Sequence, residues 1–145
     1  MSFSNALPAE RAEREIVDLK PLYGKGEARA EAERCLYCVD APCIKACPTS
    51  IDIPTFIKKI ASDNVRGSAR TILEENLLGY SCARVCPVEV LCVGACVYNG
   101  LHRPPIAIGR LQRYATETAT RQGEAPLFPV KPPRSEEHTS ELQSP

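Results

Sequence analysis

Apolar residues along this chain recur every three or four positions and almost never every second one. Ile53, Phe56, Ile57 and Ile60 fall at i, i+3, i+4 and i+7, the spacing of one buried helix face. Asp52 stands directly before them, where a carboxylate caps a helix N-terminus. A second stretch places Ala69, Ile72 and Leu73 inward against Glu74 and Glu75 outward, with Ser68 as the expected cap and Gly79 as the expected stop. Glu27 to Arg34 is rich in Ala and Glu and predicts a helix that delivers the chain into Cys35. Pro8 to Asp18 reads as a surface helix with Pro in its first turn, and Leu19 to Lys25, holding Pro21 and Gly24, as a loop. A last helix is expected from Gly109 to Arg121, followed from Glu124 to Pro133 by an extended linker with four prolines. Strand signals are nearly absent, so the expected fold class is all-α.

The cysteines interrupt this helical pattern and carry the chemistry. Cys35, Cys38, Cys43 and Cys47-Pro48 form a C-x2-C-x4-C-x3-C-P run. Cys82-x3-Cys86-Pro87 and Cys92-x3-Cys96 form a second array, and the chain has no other cysteine. Each pair in the second array is one helical turn apart. Dense thiolates at such spacings suit iron–sulfur cubanes, which need about four ligands converging on one inorganic cage.

Two other uses of cysteine compete with that reading. Eight is an even number, as a disulfide framework requires. But the N-terminus has no basic n-region followed by an apolar h-region, so the expected location is the cytoplasm, where thiols stay reduced. Zinc is the stronger rival, since Cys35-x2-Cys38 also matches half of a structural zinc site; the later pairs, however, are C-x3-C. The alternative to an electron carrier is therefore a zinc-structured interaction module without a redox role.

How the ligands divide stays open at this stage. In ferredoxin-type runs ending in Cys-Pro, the last cysteine serves the other cluster. Cys47 lies one turn beyond Cys43, so it would reach a second site while Cys35, Cys38 and Cys43 grip the first. The plain alternative gives each array its own cluster.

Composition narrows the function further. The chain has 145 residues, 43% of them hydrophobic, no Trp and few other aromatics, which limits its core and leaves metal clusters to supply much of the folding free energy. Formal net charge is zero, so nothing points to nucleic acid, and no apolar run approaches the roughly 18 residues of a membrane span. Arg134 to Pro145 resembles the in-frame translation of a sequencing adapter, so residues 134–145 carry no fold expectation and the natural chain is expected to continue past Pro133.

The stretch Cys35-Leu-Tyr-Cys-Val-Asp-Ala-Pro-Cys43, with Ala46-Cys-Pro48, Cys86-Pro87, Leu91-Cys92-Val-Gly-Ala-Cys96 and Ile108-Gly-Arg-Leu-Gln112, resembles the N-terminal domain of dihydropyrimidine dehydrogenase. It is similar more broadly to the α-helical ferredoxin domain shared with the small subunit of glutamate synthase. The resemblance spans roughly Glu27 to Glu117. It implies two [4Fe-4S] clusters, one held by Cys35, Cys38, Cys43 and Cys96, the other by Cys47, Cys86, Cys92 and Gln112, with Cys82 as a spare thiol. It also implies FAD- and NAD(P)H-binding domains further along the natural chain and a flavin-containing partner subunit or domain. The organisation it implies is a helical extension over 1–26, the cluster domain over 27–122, and a linker over 123–133 leading to a flavin domain. The final substrate, pyrimidine or glutamate synthesis, stays open.

No nicotinamide site is expected within these residues. The only G-x-G is Gly24-Lys-Gly26, with Arg29 at the third glycine position and no strand signal before it. The chain thus reads as an electron-transfer module of an oxidoreductase, with no catalytic residue of its own. His102, in the turn-rich Asn99 to Pro105, reads as solvated, and His138 lies in the adapter-like tail. Arg103, Arg110 and Arg113 are candidates for balancing cluster charge, although charged faces are usually only solvated.

Overall fold

The computed structural model describes Asp18, residues 21–122 and residues 126–129. The expected helix from Pro8 to Asp18 lies outside them except for Asp18, and so does the adapter-like tail with His138. Seven α-helices fill the described residues: α1 Lys25–Glu33, α2 Pro42–Lys45, α3 Ile53–Ala61, α4 Val65–Glu75, α5 Gly79–Val85, α6 Val97–Gly100 and α7 Ile108–Arg121. One 3-10 turn, Val88–Val90, separates α5 from α6, and no strand occurs among the described residues. The fold is all-α. Among the described residues no helix is long and apolar enough to cross a membrane.

Helix α3 forms as its periodicity dictates. The Asp52 carboxylate accepts from the Thr55 N–H at 3.1 Å, a cap worth about 1 kcal/mol. Ile53, Phe56, Ile57 and Ile60 are all buried, each such side chain contributing about 1.5–3 kcal/mol by leaving water. They pack between α1, which presents Ala28 and Ala32, and α4, which presents Ala69 and Ile72. Helix α7 crosses α4 and α5 and closes the core with Leu111 and Ala115.

Two sequence expectations need correction. Helix α4 begins at Val65, not after Ser68, because Asn64 is the cap and accepts from the Gly67 N–H at 2.8 Å. Ser68 lies fully buried inside the helix and donates to the Phe56 carbonyl at 2.9 Å. That tie to α3 outweighs its local preference for a cap. Gly79 does not stop a helix either. Helix α4 ends at Glu75, with Asn76 as its C-cap, and Gly79 opens α5. The glycine is needed there because a Cβ would stand 2.6 Å from Ile72 Cγ2, far inside contact distance.

Helix α1 opens at Lys25, inside the expected loop, and ends at Glu33 with Arg34 as its C-cap. Gly24 precedes α1, with the Glu27 carboxylate reaching back to its N–H at 2.8 Å, and Gly26 lies within α1. Of the Pro-rich segment, residues 126–129 touch α4: Arg66 donates to the Pro126 carbonyl at 3.1 Å and Arg70 lies 5.8 Å from the Phe128 ring centre.

Candidate metal centres

Two cavities divide the eight cysteines. The first is walled by Cys35, Cys38, Cys43 and Cys96 together with Ile53, Ile57, Ile106 and Ile108. The second is walled by Cys47, Cys82, Cys86, Cys92, Asn76 and Gln112 together with Ile51, Ile53 and Val88. About 30 Å³ of free space remains in the first and about 110 Å³ in the second. Ile53 belongs to both walls and stands between the two cavities.

Local backbone geometry explains the first group. The Cys35 N–H donates to the Ala32 carbonyl at the end of α1, at 3.1 Å. Tyr37 then takes φ 49°, the left-handed turn that brings Cys38 back beside Cys35. Its hydroxyl donates to the Ala32 carbonyl at 3.2 Å. Helix α2 carries Cys43 in its single turn, and the Cys47 N–H closes the next turn on Ile44 at 3.0 Å, so Cys47 leaves for the second cavity. Cys96 arrives from far along the chain. Tyr98 donates its hydroxyl to the Arg34 carbonyl at 2.7 Å, and Glu31 accepts both from Arg34 and from the Ala107 N–H at 2.8 Å. These bonds pull α6 and the start of α7 onto the end of α1.

The second group rests on α5, α7 and the turn between Cys86 and Cys96. The Val88 carbonyl accepts from the N–H groups of Leu91 and Val93 at 3.1 and 2.9 Å, and Asn99 donates to the Val93 and Gly94 carbonyls at 2.8 and 2.9 Å. A Cβ at Gly94 would fall on the Glu89 carbonyl oxygen. We therefore expect Gly94→Ala to cost about 1–3 kcal/mol, as overpacking does, and to lower iron content, because the same turn positions Cys92 and Cys96, which line different cavities. A thermal melt with iron analysis checks this.

Gln112, on α7 and 8% exposed, donates its amide NH2 to the Gly79 carbonyl at 2.8 Å. Since a carbonyl needs a donor, this bond fixes the amide with Oε1 as the end available to a metal. Helix α7 is itself tied to α5 through Glu117, whose side chain is 3% exposed and pairs with Arg84, Arg121 and, at 3.1 Å, Arg113. Arg113 also pairs with Asp18, and Arg110 lies 3.7 Å from the Tyr23 ring centre and donates to the Pro21 carbonyl. Neither guanidinium lines either of these two cavities, nor does the exposed Arg103, although Arg110 shares a separate, more open cavity with Cys86. His102 is an exposed turn residue with φ 53° and lines neither.

All eight thiols are free. Burial pushes Cys43 up to about 11, with Cys35 and Cys96 adding to the shift, and pushes Cys92 up to about 12, with Cys47, Cys86 and Cys43 adding to it. Burial raises Cys35 and Cys86 too, the latter helped by Cys82 and Cys47. Thiolates gathered in apolar walls need a cationic core to hold them ionised, and taking up such a core releases their protons. Among the described residues no three His, Cys, Asp or Glu side chains converge as they would around a single ion. The thiols line the two cavity walls instead. The soft donors and apolar surroundings fit iron–sulfur clusters. Sequence reasoning missed Asn76 and the shared wall at Ile53, neither of which has a local signal.

Comparison with known proteins agrees. Residues 12–124 match the family described as dihydropyrimidine dehydrogenase domain II, 4Fe-4S cluster. The NAD-dependent dihydropyrimidine dehydrogenase subunit PreT of Escherichia coli K12 is 47% identical over 106 residues, covering 73% of this chain and 26% of that protein. Its homolog in Salmonella typhi is 48% identical over 100 residues, 69% of this chain and 24% of that protein. The chain spans about a quarter of the length of these relatives. With a helical fold, thiol-lined cavities and this match across most of its length, the chain belongs to the dihydropyrimidine dehydrogenase domain II, 4Fe-4S cluster family.

Proposed function

We propose that this chain relays single electrons through two [4Fe-4S] clusters within an NAD(P)H-dependent flavoprotein of the dihydropyrimidine dehydrogenase type. The supporting observation is the grouping of donors: Cys35, Cys38, Cys43 and Cys96 on one cavity wall, and Cys47, Cys86, Cys92 and Gln112 on the other with Cys82. In this reading the first four thiolates hold one cluster, and three thiolates with the Gln112 amide oxygen hold the second. Each cluster, when bound, supplies a reversible one-electron couple.

The chain's own residues set the conditions of that couple. Ile53, Ile57, Ile106 and Ile108 exclude water from the first site, and Ile51 and Val88 from the second. Ile53 is common to both walls, and Cys43 on the first adds to the upward shift of Cys92 on the second. A neutral amide in place of a thiolate leaves the second site less negative, which favours its reduction. The Gly79 carbonyl holds that amide in register. In the same reading FAD and nicotinamide sites belong to the remaining part of a longer natural chain, after a linker over 123–133, and a flavin-containing partner receives the electrons. NADH is the donor favoured by the relatives' description as NAD-dependent.

Anaerobic purification tests the reading. The expected product is brown, contains acid-labile sulfide, and has broad visible absorbance that bleaches with dithionite. Colourless protein with stoichiometric zinc and no labile sulfide would establish a structural zinc module instead.

A further inference from the structure

The second cavity offers one donor more than a cubane needs. Cys47, Cys82, Cys86, Cys92 and Gln112 all line it, and it is the roomier of the two. Cys82 lies on α5 one turn before Cys86, whose N–H donates to the Cys82 carbonyl at 2.9 Å. Its thiol is not left to rotate freely. The Asn76 side chain accepts from the Leu78 N–H through Oδ1 at 3.0 Å, which fixes its other end, and Nδ2 donates to Cys82 Sγ at 3.3 Å. A sulfur that receives an amide N–H in a cavity of metal donors is arranged like a ligand, since hydrogen bonds to ligand sulfurs orient them and tune the cluster they hold. Gln112, from α7, faces the same cavity with its amide fixed by Gly79.

We infer that Cys82 is an alternative fourth ligand of the second cluster, held ready by Asn76, and takes the iron whenever Gln112 does not. This rests on the cluster reading above. The exchange breaks an iron–oxygen bond to Gln112 and forms an iron–sulfur bond to Cys82. The thiol proton passes to solvent, and no electron is transferred. The site gains one negative charge, so its reduction potential falls, with the Asn76 N–H offsetting part of the fall. The cavity therefore supports two ligand states of different potential, one amide and one thiolate.

The test uses this chain, reconstituted anaerobically with iron and sulfide, as wild type, Cys82→Ala, Gln112→Leu and the double variant. Wild type and Cys82→Ala should carry equal iron. Gln112→Leu should also keep wild-type iron, while the EPR signal of its second cluster changes and its midpoint potential drops. Alkylation under native conditions should label Cys82 in wild type and no cysteine in Gln112→Leu. The double variant should lose about half its iron and sulfide, one cluster of two. If far-UV circular dichroism shows that Gln112→Leu does not fold, Gln112→Asn replaces it, keeping a polar amide whose oxygen falls short by one methylene. Loss of half the iron from the single Gln112 variant with Cys82 still open to alkylation overturns the inference. So does full iron in the double variant, or loss of a cluster from Cys82→Ala alone. A wild-type chain that takes up no iron and sulfide overturns the underlying reading, and this inference with it.

Discussion

Chelating the iron from the purified chain, or replacing Cys38 with Ser, is expected to abolish its sharp thermal transition along with its colour. The helices show why. α1 and α3 have 9 residues each, α5 has 7, and α2 and α6 have 4. Helices shorter than about 12–15 residues are marginal in water by themselves. The core that must hold them has Phe56 and Tyr114 as its buried aromatics among the described residues, with the rest built mainly from Ile and Ala. Ordering the backbone costs about 1–2 kcal/mol per residue. The segments around Cys35–Cys47 and Cys86–Cys96 are largely turns, with few buried apolar side chains to offset that cost. Metal binding at structural sites contributes on the order of 10–16 kcal/mol in small zinc domains, and a pair of clusters would act on the same scale. Residual helix should survive in α3, α4 and α7, which share the Ile57, Ile72 and Leu111 core. Calorimetry with hydrogen exchange checks this. A cluster-free variant that melts sharply at the wild-type temperature would show that the apolar core suffices.

What the sequence reveals and what it hides divides along physical lines. Helix α3 could be read in full because its signals are local: a carboxylate at Asp52 and apolar residues spaced by one turn. The cysteine runs could be read because thiolate spacing is itself chemistry. Asn64 and Ser68 are both competent caps, and the choice between them was made by a contact with the Phe56 carbonyl, 12 residues away. Gly79 looked like a helix stop because a stop and a close approach use the same residue, and only the position of Ile72 distinguishes them. The neighbourhood of Cys35 and Cys96 depends on Tyr98 reaching Arg34 across 64 residues. Family resemblance supplied that grouping where local pattern could not. Asn76 had no signal at all, since its role is a bond to a sulfur on the next helix.

The second large effect concerns how the two cysteine arrays cross. If each cluster draws ligands from both arrays, Cys96→Ser must damage the same cluster as Cys35→Ser, although the two residues are at opposite ends of the cysteine-bearing region. Cys47→Ser must damage the other cluster, although Cys47 sits one turn from Cys43. The reason is the one shared wall. Ile53 keeps the two cavities apart, so loss of a thiolate from one wall leaves the other donor set complete. Each variant is expected to lose about half the iron, provided the remaining cluster holds the fold.

The most direct measurement is EPR of the dithionite-reduced chain, with iron and labile sulfide counted on the same samples. Wild type should give about eight irons and two interacting signals. Cys35→Ser and Cys96→Ser should leave one and the same signal, and Cys47→Ser the complementary one. If Cys96→Ser and Cys47→Ser instead exchange places, so that each array proves to hold its own cluster, the interleaved site described here is wrong.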